Sequence, residues 1–268
     1  MTRAITGIVF VLVVLGAVLW RIEAFKVLIM LISAVSLFEF LRLYKDRDNS
    51  VNPYFGAISG GIVLLLYSFF RLEMNVAAFF LLIIVPLCLV LNQLFTYKKD
   101  IFSSAGLLLA GNFYFVYPFA MLLTFLENYN GDYKPEIFIY LLVIVWCNDT
   151  FAYLGGKLLG KHKLMPKVSP NKTVEGFVSG LVFAGIASFL MCYFGLFQVQ
   201  IPWYKHIIIG VFFGTAATIG DLIQSSVKRM AGAKDSGNIF PGHGGMWDRF
   251  DGLIAVVWVY ILSSPFFM

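Results

Sequence analysis

Long apolar runs separated by short polar connections occupy the whole length of the chain. An α-helix needs about 20 residues to cross the hydrocarbon layer of a bilayer, and tilt or partial insertion accommodates somewhat shorter runs. The pattern predicts an all-α polytopic membrane protein with about nine transmembrane helices, the fourth of them kinked at Pro86. The predicted spans are residues 5–20, 25–41, 54–70, 76–94, 105–126, 137–156, 176–197, 206–226 and 252–267.

The composition excludes a soluble globular domain. Hydrophobic residues make up 60% of the 268 residues and charged residues only 13%, against about 25% charged residues in soluble domains. Cys88, Cys147 and Cys192 each lie within an apolar run, which favours small buried hydrophobes over a disulfide or a metal site. The first run resembles a signal-peptide core, but a second run follows at once, so we interpret it as the first helix.

The distribution of basic residues predicts an orientation in the membrane. With the N-terminus in the cytoplasm, the cytoplasmic connections hold 15 of the 20 Lys and Arg residues and the opposite side holds 5. Because Lys and Arg concentrate in cytoplasmic loops, the C-terminus is expected outside. The loops 157–175 and 227–251 are expected in the cytoplasm.

The two halves of the chain differ in chemistry, although no internal repeat or long polar linker divides them. Residues 1–136 are predicted to form N-terminal transmembrane helices that act as a scaffold or as a dimer- or lipid-facing part. Residues 137–268 carry nearly all of the polar chemistry. They are predicted to form C-terminal transmembrane helices with cytoplasmic catalytic loops.

Three carboxylates, those of Glu39, Asp149 and Asp221, lie inside or at the edge of predicted spans. A charge at the bilayer centre costs roughly 2.5–3.5 kcal/mol, so each carboxylate needs a partner or a function. Glu39 has Arg42 three residues later, which predicts a structural ion pair. Asp149 and Asp221 have no basic residue one helical turn away, and we expect a functional role for both.

Residues 220–251 form the most polar stretch of the chain. Asp221, Ser225 and Lys228 share one helix face at i, i+4 and i+7, although a snorkelling lysine above a buried aspartate would explain them equally well. Glycine-rich loops can turn backbone amides toward an anion, but they also form flexible surface loops. The loop 227–251 contains Gly232, Gly237, Gly242, Gly244 and Gly245.

The same loop contains Lys234, Asp235 and His243, and it ends at Asp248 and Asp251. His243 could donate to a phosphate, act as a general base or stabilise a turn. The helix dipole alone favours the two aspartates at a helix start. Together with Asp221, however, their oxygens indicate a site for Mg²⁺ rather than for zinc.

The loop 157–175 adds five lysines, which a positive-inside loop would hold in any case. Its most specific part is Ser169–Thr173, predicted to be a rigid turn that places hydroxyl and ammonium donors before a helix start, where anions bind readily. Asn171 or Thr173 would then be the N-cap of the seventh span.

These residue types favour chemistry between a nucleoside triphosphate and a lipid head group at one membrane face. Such transfers depend on positioning and charge neutralisation and require no covalent nucleophile from the protein. A cation-coupled transporter is the competing class, because intramembrane carboxylates also form ion relays. The clustering of the carboxylates at one end of their helices, without an inverted repeat, argues against it.

The polar motifs resemble those of the phosphatidate cytidylyltransferase family. The matching residues are Ser225-x-Val227-Lys228-Arg229, Lys234-Asp235-x-Gly237, Phe240-Pro241-x-His243-Gly244-Gly245-Met246-x-Asp248-Arg249-Phe250-Asp251, Asp149-Thr150-x-Ala152-Tyr153 and Ser169-Pro170-x-Lys172-Thr173-x-Glu175-Gly176. They cover roughly the C-terminal half, whereas the first five spans match in hydrophobic character only. Gln224 departs from the family, which often has an acid there, so this position is not assigned to a metal.

The resemblance implies that CTP and phosphatidic acid give CDP-diacylglycerol and pyrophosphate, with Mg²⁺, in phospholipid biosynthesis. The lipid phosphate, with a second pKa near ~6, is already a nucleophile at neutral pH, which weakens the case for His243 as a base. The resemblance also implies a homodimer in a lipid bilayer, with no nucleic-acid partner. The short N-terminus is typical of a bacterial cell-membrane enzyme.

We hypothesise that Asp221 and Asp248 hold Mg²⁺, with Asp251 and Asp149 as further ligands and a second cation left open. Lys228, Arg229, Lys234 and Lys172 would neutralise the phosphates. The remaining predicted substrate-binding residues are Ser169, Thr173, Ser225, Asp235, Gly244 and Gly245. The alternatives within this class are a CTP-dependent polyprenol or phytol kinase and a cytidylyltransferase for ether lipids.

Overall fold

The computed structural model describes residues 2–44, 51–70, 101–127, 132–197, 201–240 and 244–264. Helices dominate these ranges, and five helical segments are long and apolar enough to cross a membrane: Ile22–Arg42, Phe102–Leu126, Pro135–Leu159, Val174–Tyr193 and Trp203–Met230. This confirms the prediction of a helical membrane protein. The predicted span 76–94, with Pro86, lies outside the described residues.

The helices follow the apolar runs closely, with ends that extend beyond several of them. Their bounds are α1 Thr2–Trp20, α2 Ile22–Arg42, α3 Pro53–Phe70, α4 Ile101–Phe115, α5 Tyr117–Leu126, α6 Pro135–Leu159, α7 Val174–Tyr193, α8 Trp203–Met230 and α9 Trp247–Ser263. The single span predicted over 105–126 is divided at Val116, because Pro118 in the first turn of α5 cannot donate a helical hydrogen bond.

The chain forms two compact units, and the first consists of Met1–Glu127 with Ala231–Arg249. In its core the ring of Trp247 packs edge-on against Phe40 and Phe115, with ring centroids 5.7 and 5.1 Å apart. The hydroxyl of Ser33 donates to the carbonyl of Phe115 at 2.7 Å. The first residue of α9 is therefore packed against α2 and α4 within this unit.

The second unit consists of Asn128–Met230 with Phe250–Met268. Its helices α6, α7 and α8 approach closely because glycines lie at the contacts. A Cβ atom on Gly176 would lie 2.5 Å from the carbonyl oxygen of Ala152, and one on Gly180 would lie 2.8 Å from that of Asn148. Small residues that let helix backbones meet are common in membrane proteins, and here they fix the position of α6 and α8 relative to α7.

A two-stranded antiparallel hairpin interrupts the helices of the second unit. Strand β1 (Lys163–Met165) pairs with β2 (Ser169–Thr173), with Lys163 opposite Thr173 and Met165 opposite Ser169. The prediction of a turn over 169–173 is therefore wrong. Pro170 is tolerated in β2 because both strands of a two-stranded sheet are edge strands, where a residue without a backbone N–H need not break the pairing.

Thr173 ends β2 and begins α7. Its side-chain oxygen accepts a hydrogen bond from the amide of Gly176 at 3.1 Å, which confirms Thr173 rather than Asn171 as the N-cap. At the second residue of α7, the carboxylate of Glu175 accepts from the backbone amide of Lys161 at 3.0 Å and lies 2.6 Å from Nδ1 of His162. Both ends of the hairpin are thus attached to the start of α7.

Candidate active site

An ion pair joins the two polar motifs of the second unit. The ammonium group of Lys172, on β2, contacts the carboxylate of Asp221, on α8. The hairpin extends from the start of α7, which packs along α8, so the strand carries Lys172 to this helix. Two residues that the sequence assigned to one site are thus brought together.

The helix face predicted on α8 is present. The hydroxyl of Ser225 donates to Oδ1 of Asp221 at 3.1 Å, one turn along the helix. The helix continues to Met230, so Lys228 and Arg229 are helical residues of its last turn. The charge of Lys228 also acts on Asp251, and both residues belong to the predicted set.

Asp149 and Asp251 belong to the same acidic group. The charges of Asp221 and Lys172 both act on Asp149, and the charges of Asp221 and Asp149 both act on Asp251. α9 comes close to α8 at Gly220, where a Cβ atom would lie 2.5 Å from the carbonyl oxygen of Asp251. Three of the four predicted metal ligands therefore belong to the second unit and influence one another electrostatically.

Asn148 is a residue of this site that the sequence analysis missed. It is 1% exposed, and its amide nitrogen lies 3.3 Å both from Oδ1 of Asp149 and from the hydroxyl oxygen of Thr218 on α8. It therefore orients the Asp149 carboxylate from within α6. The only sign of this role in the sequence is that Asn148 is a polar residue within an apolar run.

In the first unit, the loop before α9 folds around the side chain of Asp248. Oδ2 of Asp248 accepts from the amide of Ser236 at 2.9 Å, from the Ser236 hydroxyl at 3.0 Å and from the amide of Gly245 at 2.9 Å. Gly244 has φ +80, and a Cβ atom there would lie 2.5 Å from Oδ2 of Asp248. The glycine-rich loop does turn amides toward an anion, and that anion is a carboxylate of the chain itself.

The partner predicted for Glu39 is wrong. Its carboxylate accepts from the hydroxyl of Ser236 at 2.8 Å and from the amides of Met246 and Trp247 at 2.9 Å each. Arg42 is not among these donors. Three donors that converge on one buried carboxylate outcompete a flexible arginine one turn away. Because Ser236 is 197 residues from Glu39, local spacing held no sign of this contact.

The remaining predicted residues differ in their surroundings. Ser169 opens β2 and is half-buried, whereas Arg229, Lys234 and Asp235 are exposed. His243 lies outside the described residues. The amide nitrogen of Gln224 is buried and has no hydrogen-bond partner in the described part of the chain.

The donor chemistry of the site fits a hard divalent cation. Across the described ranges, no three His, Cys, Asp or Glu side chains converge as a ready-made metal-ligating group. In the second unit, however, the like charges of Asp149, Asp221 and Asp251 act on one another. Carboxylate oxygens suit Mg²⁺, and a cation there would relieve this repulsion.

The fold is that of a helical membrane protein whose second unit brings a lysine and an aspartate of the polar motifs together. The model of the cytidylyltransferase family matches residues 1–267. The chain is 36% identical to the phosphatidate cytidylyltransferase of Bacillus subtilis over 273 residues, which cover 98% of this chain and 97% of the relative.

Two staphylococcal relatives match over a shorter range. The chain is 44% identical over 119 residues to the phosphatidate cytidylyltransferase of Staphylococcus haemolyticus and 48% identical over 121 residues to that of Staphylococcus aureus. Each alignment covers 44% of this chain and 45% of the relative. The chain belongs to the cytidylyltransferase family, and the match includes the N-terminal helices.

Proposed function

We propose that this protein is an integral membrane enzyme that makes CDP-diacylglycerol and pyrophosphate from CTP and phosphatidic acid. Family membership and the activity for which the relatives are named support the reaction. The observation that carries the assignment to a site is the ion pair between Lys172 and Asp221. It places a phosphate-neutralising cation beside a carboxylate suited to a metal.

The reaction is a nucleotidyl transfer. An oxygen of the phosphatidate phosphate attacks the α-phosphorus of CTP, the bond between the α- and β-phosphates breaks, and pyrophosphate leaves. The lipid phosphate is largely dianionic at neutral pH, so no strong base is needed. The work of the protein is to bring two polyanions together and to neutralise their charge.

Lys172 performs part of this neutralisation. An ammonium group held by Asp221 is already ordered and can turn from the carboxylate to a phosphate oxygen over a short distance. Lys228 and Arg229, about two turns beyond Asp221 on α8, would serve the same purpose, and Ser225 holds Asp221 in place. Lys234 and Asp235 are exposed on the loop and are free of any packing role that would compete with substrate binding.

Asp221, Asp149 and Asp251 are the residues of the second unit that we assign to Mg²⁺. When bound, Mg²⁺ would neutralise negative charge on the α- and β-phosphates. Asp248 is the fourth ligand assigned from the sequence and stays a prediction, as does a second cation.

We place the reaction at the cytoplasmic face of a bacterial cell membrane, in a protein of nine spans with its N-terminus inside. The excess of basic residues in the connections on that side supports this orientation. The homodimer implied by the resemblance stays a prediction.

The test is an assay of the purified protein in mixed micelles with CTP, phosphatidic acid and Mg²⁺. CTP labelled in the cytosine ring should appear in a lipid product, with one pyrophosphate released per lipid. Release of CDP together with a phosphorylated lipid would identify a kinase instead. The absence of both products under these conditions would overturn the proposal.

A further inference from the structure

Glu39 connects α2 to the loop that holds Asp248. Its side chain is buried, with 2% of its surface exposed, so it does not reach substrate directly. A buried carboxylate is tolerated only when hydrogen bonds replace its hydration. All three of its donors belong to residues 236–247, the segment that ends at the first turn of α9.

Two of these donors are backbone amides at the start of α9. Helix N-termini have amides without an intrahelical acceptor, and a carboxylate stabilises them through hydrogen bonds and through the helix dipole. Here the carboxylate comes from another helix. Glu39 therefore fixes where α9 begins, and Asp248 is the second residue of that helix.

The hydroxyl of Ser236 joins the two carboxylates. Its oxygen lies 2.8 Å from Oε2 of Glu39 and 3.0 Å from Oδ2 of Asp248, and the amide of the same residue donates to Oδ2 at 2.9 Å. A hydroxyl carries one proton, so it serves one carboxylate at a time. Both carboxylates nevertheless depend on where Ser236 lies.

The glycines of the loop make room for the two carboxylates. A Cβ atom on Gly237 or on Gly245 would clash with the carboxylate of Glu39, and a Cβ atom on Gly244 would lie 2.5 Å from Oδ2 of Asp248. The backbone can wrap around these acids only where side chains are absent.

From this arrangement we infer that Glu39 is a positioning residue for the reaction. It holds Ser236 and the start of α9 so that the carboxylate of Asp248 keeps one orientation. The inference rests on the proposed function for its catalytic meaning, whereas the attachment of the loop to α2 stands independently of it.

The test compares Glu39→Gln and Glu39→Asp with Glu23→Gln, the same substitution at an exposed position on the same helix. The first readout is limited trypsin digestion in micelles, with cleavage after Lys234 measured by mass spectrometry. Cleavage after Lys167, an exposed residue of the hairpin, is the internal reference. Glu39→Gln should increase the rate of cleavage after Lys234, relative to the rate after Lys167, on the order of tenfold. The reason is that a neutral amide replaces the charged acceptor of these hydrogen bonds.

The second readout is the Mg²⁺ dependence of cytidylyl transfer. Glu39→Gln should lower kcat and raise the Mg²⁺ concentration for half-maximal rate, each on the order of tenfold, with less change in KM for CTP. Glu39→Asp keeps the charge, so its kcat and its Mg²⁺ requirement should lie between those of Glu39→Gln and the wild type. Glu23→Gln should match the wild type.

Ser236→Ala keeps the test decisive if Glu39→Gln fails to fold, because it removes only one oxygen atom. It should change the proteolytic ratio in the same direction, and its effect should not add to that of Glu39→Gln in the double variant. An unchanged proteolytic ratio and Mg²⁺ dependence in a folded variant would overturn the inference. If the wild type lacks transferase activity, the proposed function fails, but the proteolytic ratio still decides whether Glu39 holds the loop.

Discussion

The ammonium group of Lys172 is paired with the carboxylate of Asp221, although the two side chains remain 26% and 36% exposed. Ion pairs with this much solvent contact add little to stability, typically below about 1 kcal/mol. The pair is therefore better explained by the reaction than by the fold. It joins the hairpin, which carries Lys172, to the helix that carries Asp221, a carboxylate that we propose as a metal ligand.

Replacing Lys172 by Met should show whether this residue serves the reaction or the stability of the fold. We expect kcat/KM to fall by a factor of about 100 or more, because a charge that stabilises the transferring phosphates is lost, whereas the melting temperature in micelles should stay almost unchanged. Lys167→Met, at an exposed position in the same hairpin, is the matched control and should keep its activity. A large loss of stability with little loss of rate would show that Lys172 is structural.

Asp248→Asn should abolish turnover while expression and helix content persist. The substitution keeps an oxygen that can accept from Ser236 and Gly245 but removes the charge that Mg²⁺ needs. Asp248→Glu, which keeps the charge and moves it by one methylene, should also be inactive if position matters. Near-normal turnover in the Asn variant would exclude Asp248 as a ligand.

Gly220→Ala should destabilise the second unit by about 1–3 kcal/mol, since the new methyl group would meet the backbone of Asp251 and the side chain of Ala255. The matched control is Gly106→Ala in α4, where a Cβ atom has nothing within 4 Å. Because alanine favours helices, this control should be neutral or stabilising by up to about 1 kcal/mol. Thermal unfolding in micelles measures both, and equal effects would contradict the close contact at Gly220.

Thr173→Val should remove the N-cap of α7 at a cost of about 1 kcal/mol. The isosteric side chain keeps the packing but cannot accept from the amide of Gly176. Thr173→Ser, which retains the hydroxyl, should unfold close to the wild-type temperature. If valine and serine behave alike, the hydrogen bond contributes nothing measurable.

Chelation of divalent cations should stop the reaction without unfolding the protein. The helices of the second unit are held by packing between α6, α7 and α8, and the proposed metal ligands are side chains on α6, α8 and α9. We expect EDTA to remove activity, added Mg²⁺ to restore it, and circular dichroism to stay constant throughout. Full activity in EDTA would contradict the assignment of Asp149, Asp221 and Asp251.

Much of the fold follows from the sequence because a bilayer forces apolar runs into helices. The bounds of α3, α6 and α8 were predicted to within a few residues. The division at Val116 was not predicted, since a proline near a helix start and one inside a helix give the same pattern of hydrophobicity. The hairpin was missed because Ser169 and Pro170 favour turns in isolation, whereas pairing with β1 decides their conformation.

The site was predictable where its chemistry is local. The spacing of Asp221 and Ser225 gave their contact directly, and the charges of Asp149 and Asp251 indicated a shared role. Glu39 was recognised as an acid that needs a partner, yet the nearest basic residue was the wrong choice. Its donors are a hydroxyl and two amides, and backbone donors leave no trace in the residue types of a sequence.

The strand that carries Lys172 makes the site sensitive to chain length. Side chains alternate between the two faces of a strand, so a shift of one residue in the pairing of β1 with β2 exchanges those faces. Insertion or deletion of a single residue at 166–168 would leave the helices intact. Because Thr173 caps α7 and anchors β2, β1 would then have to pair in a shifted register with the strand that carries Lys172. Natural variation in the length of this short connection should therefore be far rarer than variation in its residues.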